Sequence, residues 1–404
     1  MQEQLLSYDT ALARTLAQRF DWGAGVVALG SAQGRVLAEP ACADRPLPPF
    51  DRVTLDGIAL RYADYAAGRR RFRSEGVRAA GAPPVALSPA PGACYEVMTG
   101  AVLPQGATTV VKVESLRRVG ADYEVPAGLT DGTGIHARGS DAAAGERLLP
   151  AGHVVRAASL GVLAGIGAAE VSVRRLPRTA VVSTGDELVP VGDQPGPAQI
   201  RRSNDRVLDG LLRTAGLRPT CIHLTDDRAG LKAKLGDLLA DYDLIILSGG
   251  VSRGRFDFVP EVLASLGVER LLHGVAQRPG KPLWVGRTTR TMVFGLPGNP
   301  VSTLACAVAY VGPWLRANLG VGERPPSWAR VERPWPFALA LRLLRPVVHV
   351  AEREGRRIVE SVGGGSGDYV GAARADGFLA LPAGEAGFEP GHDYVYLRHD
   401  TLLG

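Results

Sequence analysis

Hydrophobic and polar positions follow different patterns along this 404-residue chain, and each pattern predicts a different kind of structure. The first residues show the helical spacing of apolar positions, whereas residues 47–145 carry short β-like runs, such as YEVMTG and DYEVP, between glycine and proline turns. The run RAASLGVLAGIGAAEVSV then predicts a helix followed by a strand. We therefore expect a helical or extended N-terminal segment, 1–46 continued by 146–176, and an inserted β-rich module, 47–145.

The second half of the chain alternates strands, loops and helices. The runs TAVVST, DLIILSGG and TMVFGLPG are apolar throughout, which is typical of strands in a parallel sheet that is covered on both faces. Between them, SNDRVLDGLLRTAG predicts a helix with Ser203 at its start and Gly216 at its end. Residues 177–322 therefore predict a central, doubly wound, parallel-type α/β domain. The proline-rich residues 323–336 are interpreted as a linker that opens a small C-terminal β domain, 323–404.

Composition and charge narrow the functional classes. Hydrophobic residues make up 46% and charged residues 22%, which is ordinary for a globular protein, and the length predicts more than one domain. The formal net charge of +5 is compatible with an anionic small substrate, and because acidic and basic residues are interspersed, we expect no nucleic acid. Four widely separated cysteines without a CxxC pair favour neither a zinc site nor disulfides. No signal peptide or membrane-spanning run is apparent, so we expect a cytoplasmic protein with no membrane partner.

The loops next to the predicted strands carry the candidate chemistry, because ligands of parallel sheets bind beyond the carboxyl ends of the strands. These loops read STGDE, TDD, SGGVS and LPGNP, and RPGKP precedes the next-to-last strand. Each has a purely structural explanation: Gly249–Gly250 can form a tight turn, Asp226–Asp227 can cap a helix, and Lys281 can be solvated. Together, they bring several carboxylates and phosphate-type binders to one edge of the sheet. Carboxylates beside a bound phosphate are favourable when Mg²⁺ lies between them.

Two further features favour an anionic ligand at this edge. Nearly all of the 46 basic residues are arginines, and Lys281, one of only four lysines, lies between prolines, where a point charge for an anion is held in place. The turn Pro297–Pro300 fixes two φ angles around a Gly-Asn pair, and Ser302 falls in the first turn of the helix that follows. The unpaired N–H groups of that helix start predict a site for a phosphate or another oxyanion.

Seven segments, in this order, resemble the molybdopterin molybdenumtransferases, the group of MoeA and the gephyrin E domain: DGIA, MTGAVLPQGATTVV, RGSD, STGDEL, SGGVS, RPGKP and GLPGNPVS. Together they are specific, and they extend over about residues 45–320. The resemblance implies a homodimer of four-domain subunits, in which 177–322 is molybdopterin-binding and 323–404 is β-barrel-like. It also implies that molybdate is inserted into adenylylated molybdopterin, with Mg²⁺-dependent release of AMP, in molybdenum cofactor biosynthesis. Contact with a molybdopterin adenylyltransferase or with recipient molybdoenzymes would fit that role.

The resemblance assigns roles to individual positions. It implies catalytic roles for five polar residues: Asp186, Glu187, Asp226, Asp257 and Lys281. Among them, Glu187, Asp226 and Asp257 would bind the metal. It implies substrate binding within the α/β domain by Thr184, Gly185, Ser248, Gly249, Gly250, Ser252, Arg278, Pro297, Gly298, Asn299, Pro300 and Ser302. The other substrate-binding positions would come from the β-rich module of the second subunit and complete the cleft: Asp56, Thr99, Gly100, Arg138 and Asp141.

The sequence also departs from the family pattern. Ile58 replaces a common aromatic residue, Ser140 replaces an acid, and Arg202 stands where an acid is common. In the C-terminal domain, LRLLRPVV stands in place of a Gly-Arg-x-x-Phe run. These departures leave open an alternative, a divergent non-catalytic paralogue that acts as a pterin-cofactor carrier or scaffold. A competence-damage-like nucleotide-processing enzyme would carry Gly-Gly-Leu-Gly-Pro-Thr where this chain has SGGVSRGRFD, so we disfavour that class.

Overall fold

A computed structural model describes residues 5–252, 257–322, 325–400 and 402–403, so residues 253–256 of the SGGVSRGRFD segment lie outside the described residues. The chain divides into two compact units. The first, here called the main unit, comprises Met1–Glu39, Ala151–Leu160 and Glu170–Gly404. The second, here called the β module, comprises Pro40–Pro150 and Gly161–Ala169.

Helices and strands are numbered in chain order. The helices are α1 (Tyr8–Leu16), α2 (Tyr62–Ala66), α3 (Ala157–Gly165), α4 (Asn204–Arg213), α5 (Arg228–Asp241), α6 (Val259–Ser265), α7 (Pro300–Cys306), α8 (Gly312–Asn318) and α9 (Tyr369–Arg374), with 3-10 turns at Leu29–Ser31 and Val113–Ser115 and a π-helical segment at Ala307–Val311. The strands are β1 (Ala24–Ala28), β2 (Ala41–Cys42), β3 (Arg52–Val53), β4 (Gly57–Leu60), β5 (Arg71–Arg78), β6 (Ala93–Val97), β7 (Thr109–Lys112), β8 (Arg117–Val119), β9 (Asp122–Glu124), β10 (Ile135–His136), β11 (Arg147–Leu149), β12 (Glu170–Arg174), β13 (Thr179–Thr184), β14 (Leu188–Val189), β15 (Ile200–Arg201), β16 (Thr220–Leu224), β17 (Leu244–Ser248), β18 (Glu269–His273), β19 (Gln277–Arg278), β20 (Trp284–Arg287), β21 (Met292–Leu296), β22 (Ser327–Val331), β23 (Trp335–Pro336), β24 (Arg342–Arg353), β25 (Arg356–Ser361), β26 (Gly377–Leu381), β27 (Gly387–Phe388) and β28 (Tyr394–Arg398).

A six-stranded sheet lies in the main unit, in the order β16, β13, β17, β21, β20, β18. The strands β16, β13, β17 and β21 run parallel, which confirms the predicted α/β sheet. Strand β20, near one edge, pairs antiparallel with both β21 and β18, which the alternating pattern did not predict. The reason lies in the connection, because only residues 288–291 join β20 to β21, and a parallel crossover needs a dozen or more residues.

Alternate residues of the central strands pack into two separate cores, as expected for a sheet that is covered on both faces. Val181, Ile246 and Phe294 belong to the core that contains side chains of α4, α7 and α8. Val182 and Ile245 belong to the core that contains side chains of α5 and α6. The doubly wound arrangement follows from this division.

The longest apolar run of the sequence, residues 301–315, forms a buried helical segment that is not uniform. The segment begins as α7, continues through the π-helical residues and ends as α8. Tyr310, in the π-helical part, and Trp314, in α8, are fully buried. Within the described ranges, no helix is long and apolar enough to cross a membrane.

Five strands of the C-terminal region close into a barrel, in which β24 pairs with β25, β25 with β22, β22 with β28, β28 with β26, and β26 with β24. The predicted barrel-like domain is thereby confirmed. The interpretation of 323–336 as a linker is wrong where β22 lies inside it. Buried Ala329 and Val331 alternate with exposed Trp328 there, and the surrounding prolines obscured this strand signal.

The β module contains a second six-stranded sheet, ordered β7, β4, β6, β5, β9, β8, as its short β-like runs predicted. Ile58, one of the departures from the family pattern, lies on β4 and is 1% exposed. It belongs to a core cluster with Leu60, Phe72 and Val111. That departure therefore concerns the packing of the β module.

Candidate functional site

Loops at the carboxyl ends of the parallel strands enclose a cleft of about 600 Å³ in the main unit. The wall comes mainly from the loops that follow β13, β16, β17 and β21 and from the segment that enters α4. It includes thirteen of the predicted site residues: Thr184, Gly185, Glu187, Asp226, Ser248, Gly249, Gly250, Ser252, Asp257, Pro297, Gly298, Asn299 and Pro300.

Carboxylates are concentrated in one part of this cleft. Glu187, Asp226 and Asp257 line it, and Asp186 accepts a hydrogen bond from the Asp226 N–H at 3.0 Å. Burial, followed by the negative charges of Asp186 and Glu187 and then that of Asp257, raises the pKa of Asp226. The carboxylates are therefore close enough to repel one another, and a divalent cation among them would relieve this repulsion.

The loop after β13 depends on a glycine at position 185. Gly185 has a φ of +141°, and a Cβ there would lie 2.5 Å from a carboxylate oxygen of Glu187. His223, on the neighbouring strand β16, donates from Nε2 to the Gly185 carbonyl oxygen at 2.9 Å. Glycine at position 185 is therefore needed, because any side chain there would collide with the Glu187 carboxylate.

Asp227 differs from its neighbour Asp226. Its carboxylate accepts a hydrogen bond from the Gly230 N–H at 2.7 Å and caps the start of α5. The structural explanation of the Asp226–Asp227 pair therefore applies to its second residue, whereas the first residue lines the cleft.

The segment that enters α4 supplies lining residues that the sequence analysis did not assign to the site. Asn204 donates from Nδ2 to Ser248 Oγ at 2.8 Å and to the Gly298 carbonyl oxygen at 2.7 Å, so it joins α4 to two predicted loops. Arg201 and Arg202 also line the cleft. The signal that could have found them is positional, because the start of a helix at the carboxyl edge of a parallel sheet lies in the ligand region.

Some polar atoms of the cleft are buried without a hydrogen-bond partner in the described part of the protein: Ser183 Oγ, Thr184 Oγ1, Arg202 Nε and Asn204 Oδ1. Such atoms are rare in folded proteins, because each one costs about 1–3 kcal/mol. Of the eleven such atoms in the described ranges, these four line one cleft, where a polar ligand would complete their hydrogen bonds.

The Pro297–Pro300 turn lines the cleft, but the helix start behind it is partly occupied. Ser366, in the loop before α9, accepts the Val301 N–H at its carbonyl oxygen and the Asn299 side-chain amide at its hydroxyl, both at 3.0 Å. The Val301 N–H is therefore not available to an anion. Ser302, predicted to bind substrate, is 3% exposed and lies outside the lining of the cleft.

A second cavity, of about 490 Å³, lies between the RPGKP loop and the barrel. Aromatic and proline side chains form much of its wall, and Arg278 and Arg345 also line it. Arg345 is half-buried, which lowers the pKa of its guanidinium, and it donates to Ser361 Oγ and to the Gly363 carbonyl oxygen. Neither arginine forms an ion pair with a carboxylate in the described ranges. The structure thus places Arg278 at this cavity rather than in the cleft, and exposed Lys281 lines neither.

The predicted residues of the β module reach the surface of that unit: Asp56, Thr99, Gly100, Arg138 and Asp141. Asp56 accepts hydrogen bonds from the Thr99 N–H at 2.7 Å and from the Thr99 hydroxyl at 2.8 Å, and these bonds lower the pKa of Asp56. Asp141 lies 2.7 Å from Nε2 of His136. The role of these residues in the cleft of a second subunit stays a prediction.

A metal site is not preformed: among the residues that the structure describes, no group of three or more His, Cys, Asp or Glu side chains is arranged to hold an ion. The donor chemistry nevertheless fits a hard cation, because the acids of the cleft offer carboxylate oxygens and the anionic form of Asp226 is disfavoured by its neighbours. The Mg²⁺ site of Glu187, Asp226 and Asp257 stays a prediction.

Comparisons with known families cover most of the chain. Residues 6–167 match the MoeA N-terminal region (domain I and II), and residues 180–317 match a probable molybdopterin binding domain. Residues 329–395 match the MoeA C-terminal region (domain IV).

Individual relatives and solved structures agree with these matches. The chain is 35% identical to a molybdopterin molybdenumtransferase from Synechocystis sp., over 93% of this chain and 95% of the relative, and 32% identical to one from Bacillus subtilis, over 90% and 87%. A crystal structure of a molybdopterin biosynthesis MoeA protein from Pyrococcus horikosii has a TM-score of 0.77 at 29% identity and covers 98% of this chain and 99% of that one. A second such structure, from Pyrococcus horikoshii OT3, has a TM-score of 0.81 at 24% identity, covers 98% of this chain and 100% of that one, and has the same fold.

Proposed function

This chain belongs to the molybdopterin molybdenumtransferase (MoeA) family, and we propose that it inserts molybdate into the dithiolene of adenylylated molybdopterin with Mg²⁺-dependent release of AMP. It is a transferase of molybdenum cofactor biosynthesis. One observation carries the proposal: the same cleft combines neighbouring carboxylates with buried polar atoms that have no partner in the described ranges. A pterin phosphoanhydride with bound Mg²⁺ would satisfy both, because the cation lies between the carboxylates and the phosphates. The non-catalytic alternative is not favoured, because the relatives that match most of the chain are named as transferases.

Three acids of the cleft would bind the metal, and a fourth, Asp186, holds the backbone of one of them in place. Glu187, Asp226 and Asp257 would hold Mg²⁺, which supplies positive charge and an activated water at the phosphoanhydride when it is bound. Asp186 fixes the backbone of Asp226 by accepting its N–H. Asp226 gains most from a neighbouring cation, because burial and surrounding charge disfavour its anionic form.

We assign the incoming molybdate to the second cavity. Arg278 and Arg345 offer two guanidinium groups there, and a tetrahedral oxyanion can accept hydrogen bonds from both. Ser366 lines this cavity and hydrogen bonds to Asn299, which lines the cleft. Molybdate held there would therefore lie next to the substrate in the cleft.

We propose a homodimer in which the β module of one subunit completes the cleft of the other. Asp56 supports this role, because Thr99 holds its carboxylate in the anionic form at the surface of the module. Arg138 and Asp141 would contribute from the RGSD loop. Contact with a molybdopterin adenylyltransferase or recipient molybdoenzymes, and a cytoplasmic location, remain part of the proposal.

An AMP-release assay tests the proposed reaction. With adenylylated molybdopterin and Mg²⁺, the wild type should release AMP only when molybdate or tungstate is present. Asp257→Asn and Glu187→Gln should each lower the rate by about 100-fold or more and leave the melting temperature nearly unchanged, because both side chains line an open cleft.

Asp227→Asn is the matched control for these variants. It removes a carboxylate next to the cleft but keeps the cap of α5, since asparagine caps helices as well as aspartate does. Activity close to the wild type is therefore expected. A wild type that binds the substrate tightly without releasing AMP would contradict the transferase and favour a carrier.

A further inference from the structure

Two adjacent arginines, Arg201 and Arg202, line the cleft in different ways. Strand β15 pairs with β14, and the Arg202 N–H donates to the Val189 carbonyl oxygen at 3.0 Å, so the backbone of both residues is fixed. Arg201 is exposed, and its guanidinium donates to the Asp193 carbonyl oxygen at 3.0 Å and to the Gln194 side chain at 3.4 Å. The Arg201 guanidinium is therefore already hydrogen bonded to residues 193 and 194 of the same chain.

Arg202 is half-buried, and its Nε is shielded from solvent without an acceptor in the described part of the chain. It forms no ion pair there, although Glu187, Asp226 and Asp257 line the same cleft. A buried donor on a charged group is expensive to leave unpaired. Other arginines of the described chain also have an unpaired buried Nε, but Arg202 is the one among them that lines the cleft, so its acceptor can arrive with the ligand. The acceptor has to be anionic to use the charge as well as the hydrogen bond.

Asn204 adds a second requirement on the same ligand. Its Nδ2 is occupied by Ser248 and Gly298, which leaves Oδ1 as a buried acceptor two residues from Arg202. A ligand that satisfies both atoms carries an oxyanion and, near it, an N–H or O–H donor. Nucleotides and phosphorylated heterocycles have this combination, whereas a fully deprotonated inorganic anion such as sulfate has no donor.

We propose that Arg202 binds a phosphoryl oxygen of the substrate and makes this cleft selective for phosphorylated ligands over uncharged ones. The guanidinium provides a planar pair of donors that matches a phosphoryl group, and no carboxylate of the described residues forms an ion pair with it. The identity of the substrate in this inference rests on the proposed function. The presence of an anion site at Arg202 does not depend on it.

The test uses isothermal titration calorimetry on the full-length protein with AMP, pyrophosphate and uncharged adenosine as probes, at constant Mg²⁺. Arg202→Ala and Arg202→Gln should weaken the binding of AMP and pyrophosphate roughly 10- to 100-fold and leave the binding of adenosine unchanged. Arg213→Ala removes the same charge from the far end of α4, outside the lining of the cleft, so it should change these affinities less than about threefold. Unchanged melting temperatures confirm that each variant is folded.

Three results would overturn the assignment: wild-type affinity for AMP in both Arg202 variants, an equal loss of adenosine binding, or no binding of either anionic probe by the wild type. The AMP-release assay, run in parallel, separates this inference from the proposed function. A wild type that releases no AMP but binds it through Arg202 would refute the reaction and keep the anion site. Release that is unaffected in Arg202→Ala, together with unchanged AMP affinity, would keep the reaction and refute the role of Arg202.

Discussion

At the scale of single residues, Asp226 links the electrostatics of the cleft to protein stability. Its pKa is raised by burial and then by the charges of Asp186 and Glu187. A carboxyl group whose pKa is higher in the folded protein than in the unfolded chain stabilises the fold at low pH, and that contribution is lost as the pH rises through the folded pKa. At neutral pH, the raised pKa of Asp226 therefore lowers the free energy of unfolding.

Asp226→Asn should consequently raise the melting temperature at pH 7 without Mg²⁺, by roughly 1–3 °C. The difference from the wild type should shrink as the pH falls and Asp226 becomes protonated. Added Mg²⁺ should stabilise the wild type more than the variant, because a ligand raises stability in proportion to its preference for the folded state. Scanning calorimetry measures all three effects, with Asp227→Asn as the control. A variant that unfolds at a lower temperature than the wild type at pH 7 would refute the repulsion.

At the scale of secondary-structure elements, the RPGKP loop rests on a buried polar contact with the π-helical segment. The Tyr310 hydroxyl donates to Gln277 Oε1, and Gln277 Nε2 donates to the Pro279 carbonyl oxygen at 3.1 Å. Tyr310 and Gln277 are both 0% exposed. Irregular π-helical turns are often found next to functional sites, and here one supports the loop that carries Arg278.

Tyr310→Phe should therefore affect both stability and substrate binding. The variant leaves Gln277 Oε1 buried without a donor, which should lower the free energy of unfolding by about 1–3 kcal/mol in urea denaturation. In the AMP-release assay, the KM for molybdate should rise more than kcat changes, because Arg278 loses its fixed position. Tyr396→Phe, at a buried tyrosine of the barrel, is the control for removal of a hydroxyl. An equal rise of KM in both variants would contradict the support role.

The same scale explains which features could be predicted from the sequence. The strands β13, β17 and β21 could be predicted, because a continuous apolar run indicates a strand that is buried on both faces. This signal lies within the run itself and does not depend on the rest of the chain. The antiparallel direction of β20 was not, because it depends on the length of a connection. The acids of the cleft followed from their positions after strands. The burial of Ser302 and the second cavity at Arg278 depend on how the barrel docks, which no local pattern encodes.

At the scale of the whole molecule, the candidate chemistry is divided between the two units. The acids of the cleft belong to the main unit, whereas Asp56 and Asp141 belong to the β module. If each active site of the proposed homodimer combines the main unit of one subunit with the β module of the other, two different inactive variants can restore one another. If each site is built from a single chain, they cannot.

Asp56→Ala and Asp257→Asn should each be inactive alone, yet recover activity when the two proteins are co-expressed or allowed to exchange subunits. Half of the dimers would then be mixed, and each mixed dimer would hold one intact site, so AMP release should approach about a quarter of the wild-type rate. Asp257→Asn mixed with Glu187→Gln is the control, because both changes lie in the main unit and no mixed dimer has an intact cleft. Recovery in the first mixture alone requires a site shared between subunits. No recovery in either mixture, with subunit exchange verified by differently tagged chains, would mean that each site is built from a single chain and would contradict the shared cleft.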